Sequence, residues 1–364
     1  MERNLKNSLK QIFERSRQAE SNKILKSSNA LVFVDTSYLV HLSMHSAYNA
    51  VKEEMQFEDD PNRDMTLDSD FRASLKNQLK TRIISASKAA LQGCAPNLNN
   101  VVFAHDCPKS EIWRLKYYNE YKLQRRLADK SERPFDFAPV FRYVDEHLIP
   151  EFMDEFKGSK FIGVEGAEGD DIIASLVRIA PQDVEKVIIS SDKDFLQLMK
   201  YPRVHVVTAV CKVYSLEEES KKVAKVFGED NPMTPEQYLE RKILMGDKSD
   251  NIKPIFDRCG EVTASILITE GGYKGMSLKE YLKNDDIKRH YRLNERLISF
   301  DMIPESIVES VKEQFFVDGG FSNVNPTISK SKPNLLDEVE DDEEVELLEK
   351  NKKEEEEDDD DWLT

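Results

Sequence analysis

Short apolar runs of β-type residues alternate with longer segments of helical periodicity from residue 31 to about residue 215. The runs are Leu31–Val34, Val101–Ala104, Phe161–Val164, Val187–Ile189 and Val204–Val210. This alternation is typical of βαβ units and predicts an α/β fold, with a mostly parallel central sheet and helices on both faces. From about residue 235 to residue 320 the pattern is helical without convincing strands, which predicts a second, helical part.

Both ends of the chain differ from this body. Residues 1–30 carry apolar positions at helical spacing among basic ones, which predicts a helical extension that packs on the first strand or contacts nucleic acid. Beyond Asn325 the chain becomes polar and then acidic, a composition typical of disorder. The predicted organisation is an extension (1–30), an α/β domain (31–235) with a helical gateway (107–150), a helical region (236–325) and a disordered acidic tail (326–364).

Composition limits the class of protein. The 39% hydrophobic content can fill a core, no apolar stretch reaches the ~18 residues that span a bilayer, and the first 30 residues lack a signal-like apolar segment. The four cysteines are scattered without a C-x-x-C pair, which favours reduced thiols over disulfides or zinc. We therefore expect a monomer without membrane partners in the cytoplasm, or in the host cytoplasm if a phage encodes the chain.

The net charge of −17 is concentrated in the acidic tail. Residues 337–361 hold 17 acids and 3 lysines, so the stretch contributes −14 and the rest of the chain −3. Because the acidic positions described next account for more than this remainder, the remaining surface is neutral to basic. The overall charge therefore does not exclude a nucleic-acid partner.

Acidic residues follow most of the predicted strands. The candidates are Asp35, Asp106, Glu168, Asp170, Asp171, Asp192 and Asp194, with Asp247 and Asp250 further along the chain. The carboxyl ends of parallel strands meet at one rim, where two carboxylates about 4 Å apart repel by roughly 4 kcal/mol at an effective dielectric near 20. Hard divalent ions such as Mg²⁺ take oxygen ligands and hold phosphates. The pattern predicts a metal-dependent phosphoryl-transfer enzyme.

Other readings of these acids remain open. Acids at the start of the helix Ile172–Ile179 also cap free N–H groups and complement the helix dipole, although capping needs only one or two of them. The spacing of Asp192 and Asp194 also occurs in phosphatases that use the first acid as a nucleophile. Such enzymes carry the pair after the first strand, where this chain has only Asp35.

Residues 109–133, called the basic segment below, interleave cations with aromatic residues. On a helix, one stripe at four-residue spacing would hold Arg114, Tyr118, Lys122 and Arg126, and the next would hold Trp113, Tyr117 and Tyr121. Cations beside aromatic faces suit phosphates and bases of a single strand. The alternative is a surface helix with an aromatic core face. Further on, the turn at residues 246–251 can present backbone groups to a phosphate or a monovalent ion, or be a plain interhelical loop.

Taken in order, these motifs resemble the flap endonuclease or 5′-nuclease superfamily, and within it the ribonuclease H family of T-even-type bacteriophages. The matching stretches are Val34-Asp35, Ala104-His105-Asp106, Trp113-Arg114, Tyr121-Lys122, Glu168-Gly169-Asp170-Asp171, Ser190-Ser191-Asp192-Lys193-Asp194-Phe195 and Gly246-Asp247-Lys248-Ser249-Asp250-Asn251. They span about 60% of the chain. One departure is the segment 253–260, where the family commonly has a Gly-x-Gly hairpin.

The resemblance implies a PIN-like fold and two Mg²⁺ ions, for which Mn²⁺ can substitute. One ion would be held by Asp35, Asp106, Glu168, Asp170 and Asp192, and the other by Asp194, Asp247 and Asp250, with Asp170 near both. Arg114 and Lys122 would steer the scissile phosphate. Nucleic-acid contacts would come from Trp113, Tyr118, Tyr121, Arg125, Arg126, Lys248 and Asn251. The turn after Met245 would belong to a helix–three-turn–helix unit that grips duplex DNA, with K⁺ as a candidate ion at residues 246–260.

The implied activity is 5′→3′ exonuclease, flap endonuclease and ribonuclease H cleavage. The substrates would be branched, nicked or flapped DNA and RNA–DNA hybrids, and the use would be primer removal on the lagging strand. A single-strand-binding protein or a sliding clamp is a candidate partner. Two rivals are a PIN-type endoribonuclease acting on free RNA and a branched-DNA-binding protein that does not cut. The basic segment disfavours the first and the complete acid set disfavours the second.

Overall fold

The computed structural model describes residues 29–127, 133–227, 231–269 and 272–317, all of which belong to one compact unit. The predicted acidic tail and all but the last two residues of the N-terminal extension lie outside the described residues. Within the described ranges, no helix is long and apolar enough to cross a membrane.

The core of the fold is a five-stranded parallel sheet. Its strands are β1 Leu31–Asp35, β2 Val101–His105, β3 Lys160–Gly163, β4 Lys186–Ile189 and β5 Val204–Val207, in the order β3-β2-β1-β4-β5. Asp35 lies opposite Ala104 of β2, and Val34 lies opposite Ile189 of β4. The residues that leave β1, β2 and β4 therefore emerge at one rim, and the predicted α/β class with a parallel sheet is confirmed.

Helices surround the sheet and form the C-terminal part. They are α1 Thr36–Met55, α2 Ser69–Ala90, α3 Leu123–Leu127, α4 Phe137–Tyr143, α5 Ile149–Glu155, α6 Gly169–Ile179, α7 Leu216–Lys221, α8 Pro235–Met245, α9 Glu261–Leu267, α10 Leu278–Tyr281, α11 Asp285–Ile298 and α12 Glu305–Phe316. A π-helical turn, Val144–Leu148, joins α4 to α5. Short 3₁₀ helices are Met65–Leu67, Leu98–Asn100, Trp113–Lys116, Lys193–Lys200, Lys248–Asp250 and Phe300–Met302.

Alternate residues of the strands fill two cores, one on each face of the sheet. In β1, Val32 and Val34 pack on the face covered by α1 and α2. Leu31 and Phe33 point to the opposite face, which is covered by α6 and α12. Because both faces are covered, the strands read as continuous apolar runs rather than as alternating ones.

The fifth strand is shorter than the run Val204–Val210 predicts, because the chain reverses after Val207. The Cys211 N–H donates to the Thr208 carbonyl at 2.8 Å, and Cys211 adopts a left-handed φ of 66°. Val207 then forms an antiparallel bridge with Val213. Apolar content alone did not reveal this turn, since Val210 is an exposed valine.

Candidate active site

The loops that follow the central strands are tied together by hydrogen bonds to two acids. Asp35 caps α1 by accepting the Tyr38 N–H at 3.0 Å, and its other oxygen accepts the Ser190 hydroxyl at 2.8 Å. Asp106, just beyond β2, accepts the Ser37 hydroxyl at 2.5 Å. A second bond, 2.7 Å long, joins it to the Gly169 N–H at the start of α6. These contacts bring β1, β2, β4 and α6 to one rim, as the parallel sheet predicts.

Asp170 and Asp192 complete this carboxylate group. Burial raises the pKa of Asp35 to about 7, with further contributions from the charges of Asp106 and Asp192. The pKa of Asp170 is raised well above its usual value, first by burial and then by the charges of Asp192 and Asp35. Asp35, Asp106, Asp170 and Asp192 are thus near enough to repel one another, and within the described ranges no ion pair reaches any of them.

A second carboxylate group lies beside the first, and it contains lysine. Lys242 of α8 places its Nζ 2.9 Å from Asp194 and 2.5 Å from Asp247. Burial raises the pKa of Asp194 to about 7 although Lys242 opposes the shift, whereas Lys242 outweighs burial at Asp247 and lowers its pKa. Asp250 pairs with Arg125 at 3.1 Å and lies 3.7 Å from Lys122. The second group is therefore partly neutralised by the chain's own cations.

Asp171, which the sequence analysis includes among the metal ligands, lies apart from both groups and is held by other donors. Its side chain is fully buried and accepts Arg114 Nη2 at 2.8 Å, Arg114 Nη1 at 3.0 Å and Trp113 Nε1 at 3.0 Å. It also accepts the Glu168 N–H at 3.0 Å, which closes a capping box at the start of α6. With these four donors its oxygens are occupied, so capping, the ordinary role of such an acid, accounts for Asp171.

Arg114 likewise is not placed to meet a phosphate, contrary to its predicted catalytic role. Its side chain is 3% exposed, and its donors go to Asp171, to Glu168 at 2.9 Å and to the Leu297 carbonyl at 2.8 Å. Trp113 and Tyr121, which are also predicted to contact nucleic acid, are buried in this arrangement. These residues bind the basic segment to α6 and to the C-terminal helices.

The basic segment is not one continuous helix, so the two predicted stripes do not form. The 3₁₀ helix Trp113–Lys116 gives way to turns, and α3 begins only after Lys122, whose φ is 53°. Periodicity missed this because the buried Arg114 ion pairs fix the segment more strongly than local preference does. The side chains of Arg125 and Arg126 are exposed, although Arg125 pairs with Asp250 and Arg126 donates to the Asn119 carbonyl.

Lys122 and Glu168 form the contact between the basic segment and the carboxylates. Lys122 Nζ lies 2.6 Å from Glu168, and the Tyr121 hydroxyl donates to the same carboxylate at 3.0 Å. Burial opposes ionisation of Glu168, but the charges of Lys122 and Arg114 outweigh it and lower its pKa. Lys122 thus joins the basic segment to the carboxylate rim, as Arg125 does through Asp250.

The turn after α8 brings Asp247 and Asp250 to the site. Gly246 has a φ of 67°, and a Cβ there would lie 2.4 Å from the Ile252 carbonyl oxygen, so only glycine fits. Asp247 accepts the Ser249 N–H at 2.8 Å and caps the 3₁₀ turn Lys248–Asp250.

This turn is also joined to the basic segment. Asn251 donates to the Glu120 carbonyl at 3.1 Å, and the Tyr118 hydroxyl lies 3.0 Å from the Asn251 carbonyl. Asn251 and Tyr118, both predicted to contact nucleic acid, therefore make hydrogen bonds within the protein. Lys248, by contrast, is exposed.

Sequence reasoning missed Ser37, Ser190 and Lys242. Ser37 donates its hydroxyl hydrogen bond to Asp106, and Ser190 donates to Asp35, so the two serines orient these carboxylates. Ser190 could have been suspected because it lies two residues before Asp192, and Lys242 because it lies little more than one helical turn before Asp247.

The donor set fits a hard divalent cation, although the side chains are not arranged as a finished coordination shell. Within residues 29–317 as described, no three Asp, Glu, His or Cys side chains already form a metal site. The reason is visible in the contacts: Ser37, Ser190, Lys122 and Lys242 hold oxygens that an ion would need. Buried carboxylates with raised pKa values nevertheless have the chemistry of Mg²⁺ or Mn²⁺ ligands.

The raised pKa values predict how a divalent ion and pH together change stability. In the metal-free protein the folded state keeps protons on Asp35 up to about pH 7, whereas its ordinary pKa is 3.8. The stabilisation of the fold by this proton is fully present below pH 3.8, the ordinary pKa of the group, and it is lost as the pH rises through about 7. An entering ion must displace the proton at low pH, so Mg²⁺ should raise the thermal midpoint more at about pH 8 than at about pH 5.5, by roughly 5 °C at saturation.

The measurement is a thermal melt at both pH values, with EDTA and with Mg²⁺. Burial lowers the pKa of His41 to about 4, so His41 destabilises the fold as pH falls. It does so equally with and without metal, and the Mg²⁺-induced difference removes its contribution. An equal Mg²⁺ effect at the two pH values would show that the ion does not bind these carboxylates.

Comparison with known proteins gives one family. Residues 31–228 match the family described as 5′-3′ exonuclease, N-terminal resolvase-like domain. The chain is 28% identical over 256 residues to ribonuclease H of Enterobacteria phage T4, a match that covers 63% of this chain and 78% of the phage protein. It is 31% identical over 202 residues to DNA polymerase I of Streptococcus pneumoniae serotype 4, covering 55% of this chain and 21% of the polymerase.

Among solved structures, the T5 D15 protein co-crystallised with metal ions is similar at a TM-score of 0.49 and 15% identity, covering 79% of this chain and 99% of that one. The chain spans only about a fifth of the length of the polymerases it matches. The family match, however, takes in more than half of the chain and most of the carboxylate rim. The resemblance seen in the sequence is therefore confirmed, and the chain belongs to the 5′-3′ exonuclease family of nucleases.

Proposed function

We propose that the chain is a divalent-metal-dependent, structure-specific 5′→3′ nuclease that hydrolyses phosphodiester bonds in 5′-ended DNA and in RNA paired to DNA. The observation that carries this proposal is the meeting of buried carboxylates from β1, β2, α6 and β4 with those of the 246–251 turn at one rim. These carboxylates repel one another, and a protein that only bound DNA would have no use for them at this position.

The residues fall into two proposed ligand groups. Asp35, Asp106, Glu168, Asp170 and Asp192 would hold one ion, and Asp194, Asp247 and Asp250 would hold the other. When bound, such ions supply an activated water and stabilise the attacking and leaving oxygens. Ser37 and Ser190 orient carboxylates of the first group, so the chain prepares that group before any ion enters.

The cations of the basic segment are proposed to bind the phosphate backbone. Lys122 and Arg125 reach the rim through Glu168 and Asp250, and the side chains of Arg125 and Arg126 are exposed. The exposed Lys248 on the neighbouring turn adds a cation from the helical region, which we propose grips duplex DNA. We further propose that K⁺ binds at residues 246–260 and assists this grip.

The substrates and biological use are inferred from the relatives. The phage T4 relative is named ribonuclease H, and the match covers most of its length, which favours RNA–DNA hybrids among the substrates. DNA polymerase I relatives are replication enzymes, which favours removal of primers and adjacent 5′ DNA from the lagging strand. A clamp or single-strand-binding protein remains a proposed partner, and the soluble, monomeric, cytoplasmic state remains an expectation.

The direct test uses the full chain with end-labelled 5′ flap, nicked duplex and RNA–DNA substrates, in Mg²⁺, Mn²⁺ or EDTA. We expect cleavage from the 5′ end in either metal and none in EDTA. Cleavage of free single-stranded RNA in preference to all three substrates would favour the PIN-type endoribonuclease. Tight binding of flaps without cleavage in any metal would favour a protein that only holds branched DNA.

Replacing Lys122 with alanine should slow cleavage by about 100-fold or more while weakening DNA binding only a few-fold. The ammonium lies where charge develops on the scissile phosphate, and loss of one such donor typically costs that much in rate. Single-turnover rates at saturating enzyme measure the chemical step, and Lys76→Ala on α2, far from the rim, is the matched control. Equal losses in rate and affinity would reduce Lys122 to a general phosphate contact.

A further inference from the structure

Lys242 occupies the position between two carboxylates that the proposed function assigns to the second metal ion. It belongs to α8, which packs against the 3₁₀ helix Lys193–Lys200. Its side chain is 15% exposed, with Nζ 2.9 Å from Asp194 Oδ1 and 2.5 Å from Asp247 Oδ2. The two acids come from different segments of the chain, so one ammonium group joins the sheet to the turn after α8.

In the first carboxylate group the cations pair with one member only, Glu168, which contacts Lys122 and Arg114. Asp35 and Asp106 accept hydrogen bonds from serine hydroxyls and backbone N–H groups, which carry no net charge. Within the described residues the ion pairs at the rim go to Glu168, Asp194, Asp247 and Asp250. The two proposed metal positions therefore differ: in the first, the cations pair with Glu168 alone, whereas in the second a single lysine lies between two of the proposed ligands.

We infer that Lys242 is an internal counter-ion that substitutes for the second metal ion and competes with it. In the metal-free protein the ammonium holds Asp194 and Asp247 together against their repulsion. An ion that binds both acids must break the contacts at 2.9 and 2.5 Å, so part of its binding free energy replaces an existing interaction. The second ion therefore binds more weakly than the first.

This inference rests on the proposed function and adds an order of loading. The first ion meets a competing ammonium group only at Glu168, and Asp35, Asp106, Asp170 and Asp192 make no ion pair within the described residues. The second ion must displace Lys242 from two of its three proposed ligands. Competition of this kind lets the second ion exchange while the first stays bound. Lys242 is then a positioning residue for the second group rather than a catalytic one.

The test is metal binding by the DNA-free full chain, measured with Mn²⁺ by isothermal titration calorimetry and by the loss of the free Mn²⁺ paramagnetic-resonance signal. For the unaltered chain we expect one tighter and one weaker class of site. Lys242→Met keeps the aliphatic stem and removes the charge, and it should tighten the weaker class by about tenfold, the factor for roughly 1.4 kcal/mol. Unchanged or weaker binding at that class would overturn the inference.

A second readout separates competition from a merely structural role. Without its ammonium, the metal-free protein must hold Asp194 and Asp247 unpaired, so Lys242→Met should lower the thermal midpoint in EDTA and much less in saturating Mg²⁺. The control is Lys200→Met, which breaks the 2.5 Å pair with Asp301 at the far end of the same 3₁₀ helix. That variant should lose the same amount in both conditions, and an equal loss for Lys242→Met would contradict the inference.

Failure of this inference differs from failure of the proposed function. If the unaltered chain binds no Mn²⁺ at all, the metal-dependent nuclease itself is refuted. If it binds two ions and Lys242→Met changes neither the weaker affinity nor the difference between the EDTA and Mg²⁺ melts, only the role of Lys242 is refuted.

Discussion

Replacing Asp192 with asparagine should abolish cleavage and leave DNA affinity within a few-fold of its original value. Asp192 makes no ion pair within the described residues, and its charge raises the pKa of both Asp35 and Asp170. Even loss of a residue that only orients a metal ligand typically costs 10- to 100-fold, so loss of a proposed ligand should cost at least about 100-fold. Phosphate contacts, which provide most of the affinity, lie elsewhere on the basic segment.

The substitution is well suited to the test because it keeps the local fold. Asp192 Oδ1 accepts the Asp194 N–H at 2.8 Å as the cap of the 3₁₀ helix, and an asparagine oxygen can do the same. Single-turnover cleavage and filter binding on the same flap substrate give the two quantities. Near-normal cleavage by Asp192→Asn would refute the two-metal assignment.

Replacing Arg114 with methionine should lower the free energy of unfolding by about 3–5 kcal/mol, the usual cost of breaking a buried ion pair from one side. The variant would leave Asp171, which has no exposure to water, without its two guanidinium contacts at 2.8 and 3.0 Å. It would also free the Leu297 carbonyl that joins the basic segment to α11. Urea unfolding monitored by tryptophan fluorescence measures the loss, and Trp113 is a direct neighbour.

A double-mutant cycle with Asp171→Asn tests the pair itself. Since either single change leaves a buried partner behind, the double variant should be less destabilised than the sum of the two single variants. If Arg114→Met kept full stability but slowed single-turnover cleavage, Arg114 would act on the scissile phosphate instead. That result would also show that Arg114 leaves its buried position when DNA binds.

The sheet and the acids at its rim could be predicted because they depend on patterns that are local in sequence. Continuous β-branched runs with helices between them are diagnostic of a parallel sheet, and all five runs are strands in the structure. The rim follows from topology, since β1 ends at Asp35, Asp106 directly follows β2 and Asp192 comes three residues after β4. Gly246 could be placed in a turn because only glycine fits its left-handed backbone there.

The basic segment could not be predicted, because its conformation is set by partners far away in sequence. Arg114 pairs with acids 54 and 57 residues later and with a carbonyl 183 residues later. A four-residue spacing cannot distinguish a solvent-facing cation from one that neutralises a buried acid. Asp171 is predicted as a metal ligand for the same reason. Glu168, Asp170 and Asp171 lie within four residues, and the sequence does not indicate which of them points into the protein.

The strand order β3-β2-β1-β4-β5 has a consequence for how the chain acquires its activity during synthesis. β1, made first, lies at the centre of the sheet, and its partner β4 begins at Lys186, 155 residues after Leu31. A ribosome adding about 5–20 residues per second therefore needs on the order of ten seconds between the two strands. During that interval Asp35 and Asp106 can come together, but Asp192 does not yet exist. With Asp192 as a metal ligand, as proposed, a nascent chain gains its cleavage activity only when the sheet is nearly complete.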